Sequence, residues 1–359
     1  MKRYPRLVIY PERVRENAEK VVKACAEVGV NVLAVTKGVS ADLRVARAML
    51  DGGCCAFADS RIRNLTALKK AFPGVERTLL RIPMKSEAAD VVENTNCSLV
   101  SMPESIEALE AECRFSDTAH RVLLMFDLGD RREGVLEEDL DAFVRVLKKS
   151  PHVLLTGVGS NFACFAGVLP NARALGRLAR MRVVLEDALG YALPICSGGA
   201  TSSLMLIERG ELPCEVNQLR VGEGILLGLD AAWQRAIPWL RQDTIRLDAE
   251  IAELRVRPSL PDGEIGADAF GIVRTFEDWG PRRRAIVALG RQDVPPESLT
   301  PLDEGVEILG ASSDHTLLDV QNMPRPPRWG DVLSFSLTYS ALLALTTSSY
   351  VKREYIGQK

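Results

Sequence analysis

The chain has 359 residues, of which 47% are hydrophobic, and its 45 basic and 48 acidic side chains leave a formal net charge of −3. This length allows a barrel of about 250 residues followed by a smaller domain. A nearly balanced charge produces no field that attracts nucleic acid or anionic lipid, so we expect neither as a partner. The first apolar run, Leu7–Tyr10, is too short for a signal sequence, and no later run reaches membrane-spanning length, which predicts a cytoplasmic protein.

The cysteines bear on redox chemistry and on metal binding. The eight cysteines form no CxxC pair, and they do not group with the three histidines at metal-ligand spacing. Without a secretory context, such thiols are expected to be reduced residues of the core. The sequence predicts neither a disulfide nor a metal site.

Strand-like apolar runs alternate with amphipathic helical segments over the first part of the chain. The predicted strands are Asn31–Thr36, Cys54–Ala58, Arg77–Ile82, Cys97–Ser101, Arg121–Asp127, Val153–Gly159, Leu193–Ser197 and Glu215–Arg220. The predicted helices between them include Ser60–Ala71, Ser86–Asn94, Pro103–Cys113, Leu136–Lys149 and Asn171–Ala188. Eight strand-helix units in roughly 200 residues favour a (β/α)8 barrel over an open doubly wound sheet. We therefore predict a barrel over residues 11–228.

The sequence changes character after about Gly228. Short alternating runs, separated by glycine, proline and aspartate, follow at Thr244–Ile251, Arg284–Leu289, Val306–Leu309 and Thr316–Val320. Period-two alternation between turn residues indicates strands. We predict a C-terminal β-rich domain over residues 229–359, with residues 1–10 packed against it.

Lys37 follows the first predicted strand and precedes a glycine and a helix opening at Ser40. Its side chain would project from the carboxyl end of a buried parallel strand, which is where α/β folds bind ligands. Partial desolvation lowers the pKa of a lysine and supplies the free amine that Schiff-base chemistry needs. A lysine whose ammonium group reaches solvent from the strand end is the alternative interpretation.

Glycine and hydroxyl residues follow the seventh and eighth strands, in segments 197–203 and 220–224. Barrels commonly bind phosphate in these two loops, through backbone N–H groups and hydroxyls. Together with Lys37, the loops predict a site for pyridoxal phosphate. Arg220 would donate a hydrogen bond to the pyridine nitrogen and keep it unprotonated, which favours proton exchange at Cα. Ordinary turn chemistry and a structural arginine in an ion pair are the alternatives.

These residues resemble the fold-type III pyridoxal-phosphate enzymes of the alanine racemase family, most closely the ornithine racemase branch. The resemblance covers nearly the whole chain: Lys37 matches the Schiff-base lysine, and Arg220 with Gly222 matches the last barrel loop. It implies pyridoxal 5′-phosphate as the cofactor. The implied cofactor-binding residues are Lys37, Asn161, Ser197, Gly199, Thr201, Ser202, Arg220, Gly222 and Tyr339.

Three further matches carry the resemblance. Asp127–Gly134 looks like the family's Asp-x-Gly-x-x-Arg-x-Gly segment, in which Arg132 would lie near the substrate carboxylate and the cofactor phenolate oxygen. Asn161 stands where a histidine that faces the cofactor ring is usual. Tyr339 matches a tyrosine near the chain end that contacts the phosphate.

Three residues depart from the family pattern. Phe270 occupies the position of the tyrosine that acts in alanine racemases as the second acid/base, from the neighbouring subunit. Phenylalanine has no proton to transfer, so another group must serve the face opposite Lys37. Ala41 stands in place of a phosphate-binding tyrosine, and Met125 replaces a lysine whose carbamylated form would support Arg132.

We expect His315 or Asp268 to be the second acid/base. They lie in segments 266–271 and 310–315, which resemble the ornithine racemase branch in particular. The ordinary pKa of histidine suits proton transfer near neutrality, whereas an aspartate needs a raised pKa to hold a proton. For His315, a loop anchor is the alternative. Cys164 is a further acid/base candidate, with a small core residue as the alternative interpretation.

The predicted function is a racemase that exchanges the Cα proton of ornithine or lysine through a Schiff base on Lys37. The substrate is inferred from the resemblance, which also implies substrate binding by Arg132 and Asp314 and a head-to-tail homodimer with shared active sites. A cationic side chain needs acidic groups, for which the barrel mouth offers Asp59, Asp127 and Glu133. Neighbouring arginines would equally pair with these carboxylates. A D-amino-acid lyase on the same cofactor and a non-catalytic pyridoxal-phosphate carrier are the alternative functions.

Overall fold

The computed structural model describes residues 3–357. The chain begins with β1 (Arg6–Ile9) and α1 (Pro11–Ala26). The next strands and helices are β2 (Asn31–Val35), α2 (Leu43–Asp51), β3 (Ala56–Asp59), α3 (Ile62–Ala71), β4 (Arg77–Leu79), α4 (Ala88–Asn94), β5 (Cys97–Val100), α5 (Pro103–Phe115), β6 (His120–Phe126), α6 (Leu140–Lys149), β7 (Val153–Ser160), α7 (Ala172–Leu189), β8 (Ile195–Ser197), α8 (Leu204–Glu208), β9 (Gln218–Val221) and α9 (Glu223–Leu227). The helices of residues 3–357 are all too short or too polar to cross a membrane.

Strands β2 to β9, all within the described residues, form a closed parallel barrel. Each strand pairs with the next one, and β9 returns to β2 with Gln218 opposite Asn31. The predicted (β/α)8 barrel is therefore confirmed. Strand ends differ from the predicted ones by a few residues. For example, β4 ends at Leu79, although Leu80 and Ile82 still pack against the barrel core, which is why the apolar run is longer than the strand.

The barrel interior is filled by alternate side chains of its strands. Buried residues two positions apart form its clusters, with Leu33, Val35, Ala56 and Ala58 in one and Cys97, Leu99, Leu123 and Met125 in another. Residues two apart on a strand point to the same face, so one set fills the interior and the other set contacts the helices. A filled interior leaves the residues just beyond the strand ends to line the mouth.

The remaining elements are β10 (Leu229–Asp230), β11 (Arg235–Ala236), β12 (Ile245–Pro258), β13 (Pro281–Val287), β14 (Leu299–Pro301), β15 (Glu307–Ala311), β16 (Thr316–Asp319), β17 (Val332–Leu337), α10 (Tyr339–Thr347) and β18 (Lys352–Tyr355). A mostly antiparallel sheet has the strand order β14-β17-β12-β13-β16-β15. Strand β1 pairs antiparallel with β12 and parallel with β18, so the N-terminal strand belongs to this sheet. The predicted C-terminal β-rich fold is confirmed.

The chain divides into two compact units. One is Glu12–Gln242, and the other joins the residues up to Pro11 with those from Asp243 onward. The sequence-based boundary at residue 228 differs from this division, because segment 229–242 is bonded to the barrel unit. Arg235 makes two hydrogen bonds of 2.7 Å to Glu208, for instance.

The cysteines are all unpaired thiols. The expectation that they lie in the core is wrong for three exposed ones, Cys55, Cys164 and Cys214. The others, Cys25, Cys54, Cys97, Cys113 and Cys196, are buried. Burial raises the pKa of Cys25 and of Cys97 to about 12, which keeps these thiols protonated and unreactive.

Candidate active site

Lys37 lies just beyond the end of β2, in a short 3-10 turn. Burial lowers the pKa of its ammonium group, and the charges of Arg132 and Arg220 lower it further, against the opposite effects of Cys164 and Asp59. A lowered pKa increases the fraction of free amine at neutral pH, as a nucleophilic lysine requires. The barrel mouth thus holds an amine suited to carbonyl chemistry.

A buried hydrogen bond holds the chain just before Lys37. Thr36 Oγ1 donates to Asp59 Oδ2 at 2.7 Å, and both residues are fully buried. Asp59 ends the neighbouring strand β3 and also accepts from the backbone N of Arg61 and from Asn64 Nδ2, each at 3.0 Å. Burial raises the pKa of Asp59, while the hydrogen bonds act in the opposite direction. This carboxyl group therefore positions the turn that carries Lys37.

The acidic residues considered for a cationic substrate are all engaged within the barrel unit. Asp59 is buried, as described above. Asp127 accepts from the backbone N of Gly129 at 2.8 Å, and from the backbone N and Nη1 of Arg131 at 3.1 and 3.2 Å. Glu133 pairs with Arg132. Pairing with neighbouring arginines, the alternative considered above, is what the structure shows for Asp127 and Glu133.

Arg220 of β9 is 3% exposed and links neighbouring strand ends. Its Nη1 donates to Ser197 Oγ at the end of β8, and its Nη2 donates to Ser160 O at the end of β7 (2.6 Å) and to Asn161 Oδ1 (2.9 Å). Burial lowers the pKa of Arg220 to about 10, so the guanidinium group stays charged at neutral pH. These bonds use part of the five N–H donors of a guanidinium group. Arg220 is thus a preorganised donor at the mouth.

The loops after β8 and β9 depend on glycine. Gly199 has a φ of +112°, and a Cβ there would lie 2.7 Å from Ser203 Oγ. At Gly222, a Cβ would lie 3.1 Å from the Cβ of Val35 on β2. A side chain would strain the first position and crowd the second. The loops therefore present backbone groups at the mouth.

Hydroxyl side chains lie in the loop after β8. Thr201 and Ser202 are buried in a 3-10 turn whose N-cap residue, Ala200, makes no side-chain cap hydrogen bond. Thr201 Oγ1 accepts from the backbone N of Gly224 at 3.1 Å, which joins the loop after β8 to the helix that follows β9. Backbone N–H groups at such a turn, beside glycine and hydroxyls, are the donors that phosphate sites use.

Arg132, Asn161 and Arg220 belong to one chain of hydrogen bonds. Arg132 donates from Nε and Nη2 to the carboxylate of Glu133, and Asn161 Nδ2 donates to Glu133 Oε1 at 2.7 Å. Burial lowers the pKa of Arg132, but the hydrogen bonds to Glu133 and the nearby negative charges leave it above its usual value. The sequence identified the three predicted residues separately. It missed the link through Glu133, because no sequence pattern reports a side-chain contact between distant loops.

Cys164 lies exposed in the loop after β7. Buried Asp130 holds this loop by accepting from the backbone N of Cys164, Phe165 and Val168 at 3.1, 2.9 and 3.3 Å. Cys164 acts to raise the pKa of Lys37, against the larger effect of burial. The interpretation of Cys164 as a small core residue is wrong, since solvent reaches it.

Asp268 lies in the C-terminal unit, in a loop that its carboxylate organises. It accepts from the backbone N of Ile272 at 3.0 Å, from the backbone N of Phe270 at 2.9 Å and from Arg274 Nε at 3.2 Å. These hydrogen bonds lower its pKa. The raised pKa that proton donation requires is therefore not found at Asp268 in this chain, whose carboxylate is held in the ionised form.

His315 and Asp314 form an exposed pair in the same unit, with His315 Nδ1 3.0 Å from Asp314 Oδ1. The backbone N of His315 donates to Ser312 Oγ at 3.2 Å. Arg291 connects this turn to the Asp268 loop, because its backbone N donates to Ser312 O at 2.9 Å and its guanidinium carbon lies 5.4 Å from the Phe270 ring centre. The structure thus brings together the two segments that resemble the ornithine racemase branch.

Tyr339 is the first residue of α10, directly after β17 and the cap residue Thr338. Thr338 Oγ1 accepts from the backbone N of Ala341 at 3.3 Å, which defines the helix start. The phosphate contact of Tyr339 stays a prediction from the resemblance.

Comparison with known proteins identifies the family. Residues 9–229 match the family model described as "Alanine racemase, N-terminal domain". The chain belongs to the alanine racemase N-terminal domain family. The resemblance that the sequence motifs carried is confirmed.

Two curated relatives match this chain over almost its whole length. One is named ornithine racemase, from Acetoanaerobium sticklandii, and is 39% identical over 354 residues, which cover 98% of this chain and 100% of the relative. The other is named lysine racemase, from Thermotoga maritima, and is 39% identical over 354 residues, which cover 98% of each chain. A solved alanine racemase from Bartonella henselae, with covalently bound pyridoxal phosphate, has a TM-score of 0.74 at 16% identity and covers 99% of this chain and 100% of that one. At this identity the likeness establishes the fold.

Proposed function

We propose that the protein is a pyridoxal-phosphate-dependent racemase that interconverts the L and D forms of ornithine or lysine. The pairing of β2 with β9 carries the proposal, because it places the strand that leads to Lys37 next to the strand that holds the buried Arg220, whose charge lowers the pKa of Lys37. Two relatives matched over nearly the whole chain are named ornithine racemase and lysine racemase, which supports the reaction and the substrate class. The lyase and carrier alternatives are not favoured.

The residues of the barrel mouth fit pyridoxal phosphate. Lys37 Nζ is an amine for its aldehyde, and Arg220 is a donor for its ring nitrogen. The cradle at Gly199, which a Cβ would fill, and the uncapped turn at Thr201 and Ser202 suit its phosphate. The full cofactor-binding set that we propose adds Asn161, Ser197, Gly222 and Tyr339.

When bound, pyridoxal phosphate withdraws electrons from the Cα of the amino acid and makes the Cα proton acidic. We assign to Lys37 Nζ the removal and return of that proton on one face. The lowered pKa of Lys37 provides the neutral amine that a base needs near neutrality. Arg220 stays protonated at neutral pH, so it would donate a hydrogen bond to the ring nitrogen without transferring a proton, and this would favour simple proton exchange.

Inversion needs a second group on the opposite face, because a proton returned from the side it left restores the starting enantiomer. We favour His315 for this role, since one nitrogen of a neutral imidazole accepts a proton while the other carries one. The lowered pKa of Asp268 holds its carboxylate in the ionised form. Cys164, exposed in the loop after β7, is the third candidate.

We infer a head-to-tail homodimer in which the C-terminal unit of one copy completes the site of the other. Large exposed apolar side chains occur between residues 256 and 279, namely Val256, Leu260, Ile265, Phe270, Ile272, Val273, Phe276 and Trp279. Exposed apolar side chains in such numbers mark interaction surfaces. Asp268 lies in this segment, so a second copy that covered it would bring Asp268 into a shared site.

Cytoplasmic location stays a prediction from the sequence.

Cofactor titration and polarimetry test the proposed function. On addition of pyridoxal phosphate, we expect a visible absorption band that differs from that of the free cofactor. With L- or D-ornithine, or with lysine, we expect the optical rotation to fall to zero at constant amino-acid concentration. Formation of a different product would indicate the lyase, and cofactor binding with unchanged rotation would indicate the carrier. Either outcome would contradict the proposal.

A further inference from the structure

A hydrogen-bonded link joins the two arginines of the barrel mouth. We propose that Glu133 is a positioning residue, which holds Arg132 directly and Arg220 through Asn161, so that both guanidinium groups are fixed before a substrate binds. The inference rests on the proposed function, in which Arg220 serves the cofactor, and on the resemblance, which implies that Arg132 lies near the substrate carboxylate. It adds a role for Glu133, which the sequence indicated only as an acidic group at the mouth.

The orientation of the Asn161 amide follows from the chemistry of its two neighbours. Arg220 has only N–H donors, so the Asn161 atom that faces it at 2.9 Å is the acceptor Oδ1. An ionised Glu133 has only acceptors, so the atom that faces it at 2.7 Å is the donor Nδ2. Reversing the amide would place donor against donor and acceptor against acceptor. The amide is therefore held in one orientation from both sides.

The carboxylate of Glu133 serves three donors. Its Oε2 accepts from Arg132 Nε, while its Oε1 accepts from Arg132 Nη2 and from Asn161 Nδ2. A guanidinium group paired through two N–H groups is fixed in its plane as well as in distance. The Glu133 side chain is 19% exposed, so the pairing is partly shielded from solvent. By contrast, the Glu137 and Arg177 side chains, which also pair, are 47% and 42% exposed.

Glu133→Gln keeps the shape of the side chain but replaces one acceptor with a donor. With its oxygen in the place of Oε1, the glutamine would point its NH2 group at Arg132 Nε. In the reversed orientation, the NH2 group would face both Arg132 Nη2 and Asn161 Nδ2. Each orientation breaks at least one hydrogen bond that Glu133 accepts, so Arg132 loses its two-point pairing in either case. A displacement of about 1 Å at a positioned group costs about 10²-fold in rate.

The experiment compares the wild type with E133Q, N161A, the double variant E133Q/N161A, and E137Q as the matched control. The control makes the same chemical change in another glutamate–arginine pair, one that is not bonded to the proposed site. We expect kcat/KM to fall by about 10²-fold in E133Q. E137Q should match the wild type. The double variant should lose less than the product of the two single losses, because Glu133 acts partly through Asn161.

Spectroscopy separates positioning from a general loss of structure. Because Asn161 connects Glu133 to Arg220, E133Q should change the pH titration of the visible cofactor band and weaken cofactor binding, while E137Q should not. A structural defect alone would lower the folded fraction without altering the titration of the cofactor bound to that fraction. An E133Q protein with the kinetics and titration of E137Q would overturn the proposal, as would a double variant whose loss equals the product of the single losses.

Two further measurements keep the inference separate from the proposed function. If E133Q does not fold, E133D retains the carboxylate on a shorter side chain, and an intermediate loss is expected. If the wild type neither binds pyridoxal phosphate nor racemises amino acids, the proposed function fails. A crystal structure of E133Q without added cofactor then still tests the positioning role. Displaced Arg132 or Asn161 side chains would support it, and unchanged positions would refute it.

Discussion

The barrel mouth and the C-terminal unit hold their candidate residues in opposite ways. Arg220 is 3% exposed and hydrogen-bonded to three neighbouring residues, and Lys37 lies in a turn that buried groups hold in place. In the C-terminal unit, the His315 and Asp314 side chains are 48% and 58% exposed. A single chain therefore preorganises the barrel half of the proposed site. The exposed candidates have the character expected of groups that a second copy would cover, which fits the proposed dimer.

Among the predicted changes, removal of Lys37 should have the largest effect on activity, and it tests the barrel half of the proposed site. Lys37→Ala takes away both the amine for the cofactor aldehyde and the base on one face. We expect racemisation to fall by at least about 10⁴-fold, the upper range for loss of an acid/base group, and the visible band to disappear. Chiral chromatography and absorbance measure the two effects. The exposed Lys148→Ala is the control, and a retained band in Lys37→Ala would refute the assignment.

Substitution of the second acid/base candidates tests whether the C-terminal unit supplies a proton-transfer group. Because Lys37 still exchanges the proton on its own face, His315→Gln or Asp268→Asn should slow Cα deuterium incorporation with one enantiomer by about 10²-fold and spare it with the other. Mass spectrometry of each enantiomer in heavy water measures this. Unchanged rates in both variants would exclude both residues and would favour Cys164.

Stability measurements compare the buried and exposed candidates directly. Arg220→Met leaves Ser160 O and Asn161 Oδ1 without their buried donor, so we expect the free energy of unfolding to fall by about 2–4 kcal/mol. His315→Ala removes an exposed side chain, and a change below about 0.5 kcal/mol is expected. Urea denaturation of the apoproteins measures both values. Equal effects would remove the contrast between the two regions.

The smallest expected effect is a pH dependence of folding stability that arises from Lys37. Burial lowers its pKa below the usual 10.5, so the folded protein binds this proton less tightly than the unfolded chain does. Between the folded pKa and 10.5, the unfolded state therefore holds more protons, and stability rises with pH. Relative to Lys37→Met, the apoprotein should be least stable at low pH and should gain stability through this window. A difference that does not vary with pH would contradict the lowered pKa.

The sequence predicted the barrel well, because its strands are continuous apolar runs and its candidate site residues lie at or just beyond the strand ends. Lys37 and Arg220 could be found by that rule alone. The rule gives no information about contacts between loops, so the hydrogen bonds from Arg220 through Asn161 to Glu133 could not be predicted. The sequence named Asp268 as an acid/base candidate but did not predict that its carboxylate organises its own loop, for a different reason. Its hydrogen bonds go to the amides of its own loop, and no residue pattern specifies that geometry.

Isotope labelling during racemisation tests the central claim most directly. The purified protein, with pyridoxal phosphate, is incubated with L-ornithine in heavy water, and the product is analysed by chiral chromatography and mass spectrometry. We predict D-ornithine that carries one deuterium at Cα, and loss of this product in Lys37→Ala. D-ornithine without deuterium would require proton return without solvent exchange, and a product of different mass would indicate bond cleavage. Unchanged L-ornithine with no deuterium at Cα would contradict the account.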